Sequence, residues 1–123
     1  MTATNPTIVD SSRGRDAVVY TGGAATADND VILELDVTNV YEILFGCTAG
    51  TVDVLASIDG TNFLATPLTV FDFGAVGTDS QLTVANECAA GHVCGIKGAF
   101  SKLRFLQKGA TAVVNFGLSA RGR

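Results

Sequence analysis

Apolar and polar side chains alternate with a period of two along most of this chain. The pattern is clearest between Thr51 and Ile58, where Val52, Val54, Ala56 and Ile58 fall on one side and Thr51, Asp53, Leu55 and Ser57 on the other. That is the repeat of a strand with one face in a core. Asp59-Gly60-Thr61-Asn62 then halts it. Gly60 accepts positive φ without a Cβ clash, and Asp59 and Asn62 bond their local backbone, so the chain is expected to reverse here into a hairpin. The return arm, Phe63 to Val70, contains Pro67, which lacks an N–H and so predicts an edge strand or a break at that point.

The same alternation predicts further strands on both sides of this centre. Val31 to Asp36 places Val31, Leu33 and Leu35 on one face, and Val40 to Phe45 places Tyr41, Ile43 and Phe45 opposite Glu42. Ala17 to Thr21 and Gln81 to Ala85 read as brief strands. Phe71 to Asp79 reads as a loop with two aromatic anchors, and Asn86 to Gly98 as irregular and glycine-rich. Ala99 to Gln107 alternates again, and Thr111 to Leu118 returns with Ala112, Val114, Phe116 and Leu118 on one face, which predicts a closing hairpin. About eight short strands with Gly, Asn and Asp turns and no amphipathic helix predict an all-β fold, a single β-sandwich of jelly-roll type, with a small barrel as the alternative. No segment repeats at a fixed period, which argues against a propeller or solenoid.

The domain organisation follows from where the alternation is weakest. Residues 1–16 are polar apart from Ile8-Val9 and read as an extended N-terminal arm, residues 17–118 as the β-sandwich domain, and residues 119–123 as a basic C-terminal tail. With 123 residues, one domain and one core are expected. Fourteen glycines, two prolines and no Trp fit short strands and frequent turns. Charged residues make up only 16%, below the roughly 25% usual for soluble domains, which suggests a surface partly covered by partners. No apolar run approaches the roughly 18 residues of a membrane span, and no signal-peptide pattern opens the chain, so a cytoplasmic site of synthesis without membrane association is expected.

Charge is distributed unevenly. Through Ile96 there are twelve acids against Arg13 and Arg15, a net of −10, whereas Lys97, Lys102, Arg104, Lys108, Arg121 and Arg123 follow with no acid. Such a layout suits registration between neighbouring copies or docking on an acidic partner. The acidic whole, with a pI near 4.6, argues against nucleic acid even though Lys102 and Arg104 share a strand face with Phe100.

Few residues carry recognisable chemistry. Cys47, Cys88 and Cys94 are an odd number for a disulfide framework and are expected as reduced, buried thiols. Cys88-x₃-His92-x-Cys94 is the one cluster with metal-like composition, but its spacing is not that of a zinc finger, and Cys47 would have to complete it. As a Cys-His nucleophilic pair it would need the base within hydrogen-bond reach of the sulfur and an orienting third group, a geometry that an exposed loop rarely fixes. Asp28, Asp30, Asp59 and Asp79 do not form the calcium-loop pattern and are better explained as turn residues. The glycines precede no helix and make no phosphate loop. No catalytic residue, cofactor, metal or small-molecule substrate is expected.

At SIDGTNF (Ser57 to Phe63), preceded by VDVLA and followed about forty residues later by KLRFLQKGATAVVNFGLSARGR, the chain resembles small β-sandwich virion proteins of tailed bacteriophages. These include capsid decoration or cement proteins and related head and tail accessory modules. The resemblance implies a non-enzymatic subunit that stabilises the shell by binding the major capsid protein and copies of itself, and a homotrimer would match the local symmetry axes of an icosahedral shell. It also implies residence in the virion after synthesis in the host cytoplasm. The arm and the tail supply the candidate contact residues Ile8, Val9, Arg13, Arg15, Arg121 and Arg123. Similar hairpins occur in carbohydrate-binding jelly rolls, so a carbohydrate- or receptor-binding module of a tail or baseplate is the alternative. Phe71, Phe73 and Tyr41 are its candidate aromatic shelf, although Phe63 stands where sugar-binding relatives often place Trp.

Overall fold

A computed structural model describes residues 7–10, 17–38, 40–75, 82–98 and 100–122, and among them the alternating runs form ten strands and no helix. In chain order these are β1 (Thr7–Asp10), β2 (Ala17–Ala25), β3 (Val31–Asp36), β4 (Val40–Gly46), β5 (Val52–Ser57), β6 (Val70–Ala75), β7 (Thr83–Ala85), β8 (His92–Lys97), β9 (Lys102–Gln107) and β10 (Val113–Gly122). Seven of them pair in the order β1-β2-β10-β4-β8-β6-β7, and the other three in the order β3-β9-β5. All pairings are antiparallel. The two sheets pack face to face like a sandwich.

Three phenylalanines hold the layers together. Phe45 and Phe116 rise from the large sheet and Phe105 from the small one, with centroids 5.1 Å apart for Phe45–Phe105 and 5.5 Å for Phe105–Phe116. Each such pair contributes about 0.5–1.5 kcal/mol beyond its area burial. Ile32, Val52, Val54, Ala56 and Leu103 line the small-sheet side, and Ile43, Cys94, Ile96, Val113, Leu118 and Ala120 the other.

Several strand predictions need correction. The central hairpin is half formed: β5 pairs with β9, while the return arm makes only an isolated bridge, Ser57 to Phe63, and two backbone bonds, Leu64 N–H to Ala56 O and Leu68 N–H to Val54 O. Pro67 interrupts the ladder between those bonds. The arm therefore covers the free edge of β5 without becoming a full strand. In β3 a register shift between Val31 and Leu33 turns Ile32 inward and leaves Val31 outside.

The expected closing hairpin does not exist. β9 belongs to the small sheet and β10 to the large one, and the chain crosses between layers at Lys108 to Ala112. Gln107, fully buried, fastens that crossing. Its side-chain amide nitrogen, Nε2, donates to the Gly109 carbonyl at 2.8 Å, and its Oε1 accepts from the Val113 N–H at 3.1 Å. Asn115 at φ 54° then displaces the register, so Val113 and Phe116 face inward and Val114 outward.

Phe71 to Ala75 and His92 to Lys97, expected as loop and irregular segment, are parts of β6 and β8. Ile8 and Val9 lie in β1, which pairs with β2 at one edge of the large sheet. Residues 119–122 complete β10, between β2 and β4.

Candidate docking face

The outer face of the large sheet carries the most distinctive chemistry in the molecule. Cross-strand partners share a face, so the register assigns each side chain to one side. Asp72 sits opposite Cys94 and points into the sandwich, whereas Phe71 sits opposite Gly95 and Val84 and points out. The alternation of β6 is thus inverted: the aromatics meet solvent and the carboxylate is buried. Phe71 is 40% exposed and Phe73 47%.

Gly95 makes the recess beneath them. A Cβ there would come within 2.9 Å of the Phe73 ring and 3.4 Å of Leu44 Cδ2, so both side chains lie close over bare backbone. Leu44 pairs across from Gly95 and shares the outer face. Together with Leu82 these residues line an apolar groove of about 440 Å³, with Glu42 and Lys97 at its rim. Glu42 and Lys97 form an exposed ion pair at 3.8 Å, and Arg121 lies opposite Glu42 on the other side. Exposed pairs of this kind add about 0–1 kcal/mol, so the rim directs charge more than it stabilises.

Inside the same strands, His92 Nδ1 lies 3.0 Å from both Asp72 oxygens. Burial opposes ionisation of Asp72, but the His92 contact and the Gly74 N–H at 2.7 Å outweigh it and hold its pKa below the ordinary carboxylate value. An ionised carboxylate only accepts, which puts a proton on Nδ1. Among the described residues no thiol or hydroxyl bonds to the His92 ring, and no three His, Cys, Asp or Glu side chains are arranged to hold a metal.

The three thiols are free and buried. Cys88 Sγ faces the carbonyls of His92 at 3.7 Å and Phe45 at 3.9 Å. Its contact with Cys94, together with burial, pushes its pKa up, and burial does the same to Cys47. A thiolate is disfavoured at both, which makes them packing groups and poor nucleophiles.

Of the contact residues expected from the sequence, Arg121 is exposed on β10 near the groove rim, and Ile8 and Val9 belong to the edge strand β1. Arg13, Arg15 and Arg123 lie outside the described residues. Of these, the structure brings Arg121 to the groove rim. Phe71 and Phe73 were legible as a shelf, but Leu44, Leu82 and Gly95 were not singled out. A signal was present in Ile43-Leu44-Phe45, where consecutive apolar residues mark a strand with two apolar faces.

The sequence matches no protein-family model and no curated protein. The fold is similar to that of a solved structure titled as the SPBc2 prophage-derived protein YomS, with a TM-score of 0.60, 18% identity, and coverage of 85% of this chain and 93% of that one. At that identity the likeness establishes a shared two-sheet β architecture.

Proposed function

We propose that this protein is a non-enzymatic structural component of a bacteriophage particle, a capsid decoration or cement subunit that stabilises the shell by binding neighbouring capsid proteins. The observation that carries the reading is the apolar outer face of the large sheet, where β6 turns Phe71 and Phe73 to solvent. Uncovered apolar surface rimmed by charge is what a subunit keeps for its neighbours. The fold likeness to a prophage-derived protein and the resemblance at Ser57 to Phe63 support the phage setting. A jelly-roll lineage, capsid contacts made by the N-terminal segment that includes β1, and a homotrimeric state belong to the same proposal. A cap that binds the assembled shell stabilises it by mass action, and several contacts at once multiply the effect.

Mass spectrometry of purified particles tests this: the protein is expected in heads at a fixed ratio to the major capsid protein, and its absence from particles would contradict the reading. Deleting residues 1–15 should abolish head binding while the β-sheet circular dichroism persists; unchanged occupancy would remove the arm from the proposal.

The alternative, a carbohydrate- or receptor-binding module of a tail or baseplate, is favoured by one observation, the exposed pair Phe71 and Phe73 beside Glu42 and Lys97. Sugar rings stack on such shelves. Recovery in tails, with glycan binding lost in Phe71→Ala, would select it.

A further inference from the structure

The groove has a counterpart elsewhere on the same chain. Just after β5, Ile58 is 70% exposed and Leu64 53%, the two large apolar side chains that the Asp59 turn presents to solvent. The turn that carries them is tightly fastened. The Asp59 carboxylate accepts from the Thr61 and Asn62 N–H groups, each at 2.8 Å, from Asn62 Nδ2 at 2.9 Å and from the Ser57 hydroxyl at 3.1 Å. Ser57 Oγ in turn accepts from the Gly60 N–H at 2.9 Å. Gly60 holds φ at 86°, which a residue with a Cβ rarely adopts. A turn so constrained loses little freedom when it binds, so its exposed side chains can act as a preformed knob.

We propose that the Ile58 turn of one copy seats in the Phe71–Phe73 groove of the next, forming a head-to-tail contact between copies of this chain. Shape is the first argument. The groove is a recess with Gly95 at its floor, and two recesses laid together leave a gap, whereas a projecting aliphatic turn fills one. Its volume of about 440 Å³ has room for more than one aliphatic side chain.

Charge is the second. The knob carries Asp59, which its hydrogen bonds keep ionised, and the groove rim carries Lys97 and Arg121 on either side of Glu42. The acidic turn thus meets a rim in which cations outnumber acids, which favours this partner and this orientation. Topology is the third. Ile58 follows a strand of the small sheet, and the groove lies on the far face of the large sheet, so the layer between them keeps a chain from filling its own groove. Each copy keeps one unused knob or groove until a ring closes, which is the property of a heterologous interface.

This contact does not depend on the protein being a particle component, and the test reads it separately. Sedimentation velocity across a dilution series is run on the wild type, on Ile58→Asp, which removes the knob, on Phe73→Asp, which blocks the groove, and on an equimolar mixture of the two. The wild type is expected to associate, and each variant alone to stay monomeric, with association weakened about thirtyfold or more, the loss a central interface residue carries. The mixture is expected to form a heterodimer, because one variant keeps its groove and the other its knob. Three results would overturn the proposal: a wild type that stays monomeric throughout, Ile58→Asp that associates like the wild type, or a mixture that stays monomeric. If either variant loses its β-sheet circular dichroism, Ile58→Ser and Leu44→Asp replace them, with the same outcomes expected.

Discussion

The two faces of the large sheet are built from similar residues and meet different fates. On the inner face, Phe45 and Phe116 lean on Phe105 of the small sheet and are almost wholly buried. On the outer face, Phe71, Phe73 and Leu44 lie over Gly95, and among the described residues no second layer covers them. The polar residues are distributed with equal asymmetry, since Asp72 and Gln107 are inside and hydrogen-bonded. Burial of a carboxylate in place of an aromatic is costly, and a chain under no other constraint would reverse β6 and bury its rings. That it does not is the reason we propose a partner for the outer face.

The sharpest way to break the comparison is to truncate one ring on each face. Phe116→Ala should lower stability by about 3–5 kcal/mol in chemical denaturation, as buried Phe truncations do, whereas Phe73→Ala should cost less than about 1 kcal/mol. Equal losses would mean that the outer face is part of the core.

Gln107→Ala comes next. It leaves the Val113 N–H buried without its acceptor, and a loss of about 1–3 kcal/mol is expected from the same measurement. A neutral result would show that the crossing between the sheets is held by other contacts.

Asp72→Asn follows, and its sign depends on pH. The folded pKa of Asp72 is depressed, so its contribution is present above the unfolded carboxylate value of about 3.9 and is lost as pH falls through the folded value. The variant should be about 1–2 kcal/mol less stable near pH 7, with the gap closing in acid. A gap that is constant with pH would remove the ionised Asp72–His92 pair from the account.

The smallest effect is expected at Gly95→Ala. Its Cβ would meet the end of an exposed Phe73 ring that can swing aside, so stability should change by no more than about 0.5 kcal/mol in thermal unfolding. Self-association should nevertheless weaken, because the groove becomes shallower. A large loss of stability would show that Phe73 is fixed in place by the fold itself.

These contrasts also explain what could be read from the sequence. β5 and β9 were legible because apolar inward residues alternate with polar or partly buried ones over most of each strand, as Val52 and Val54 do around Asp53 and Leu103 and Phe105 do around Arg104. The Asp59-Gly60 turn was legible because its residue types demand reversal. β6 was hidden because Phe71-Asp72-Phe73 places the core-facing residue in the polar slot, and β8 because Gly95 and His92 weaken its pattern. The crossing from β9 to β10 was missed for another reason. A short glycine-containing connection is the local signature of a hairpin, and only the buried amide of Gln107 and the displaced register at Asn115 show that the two strands part. The outer groove is assembled from three strands, β4, β6 and β8, and Leu82, so its individual residues were partly visible but their convergence was not.

The most direct measurement is hydroxyl-radical footprinting of the full chain over a concentration series, read by mass spectrometry at single residues. As copies associate, labelling of Leu44, Phe71 and Phe73 should fall together with that of Ile58 and Leu64, while exposed Val114, on the outward side of β10, keeps its reactivity. If an assembly forms and the groove residues remain as reactive as in the dilute monomer, the outer face is not the surface this protein uses.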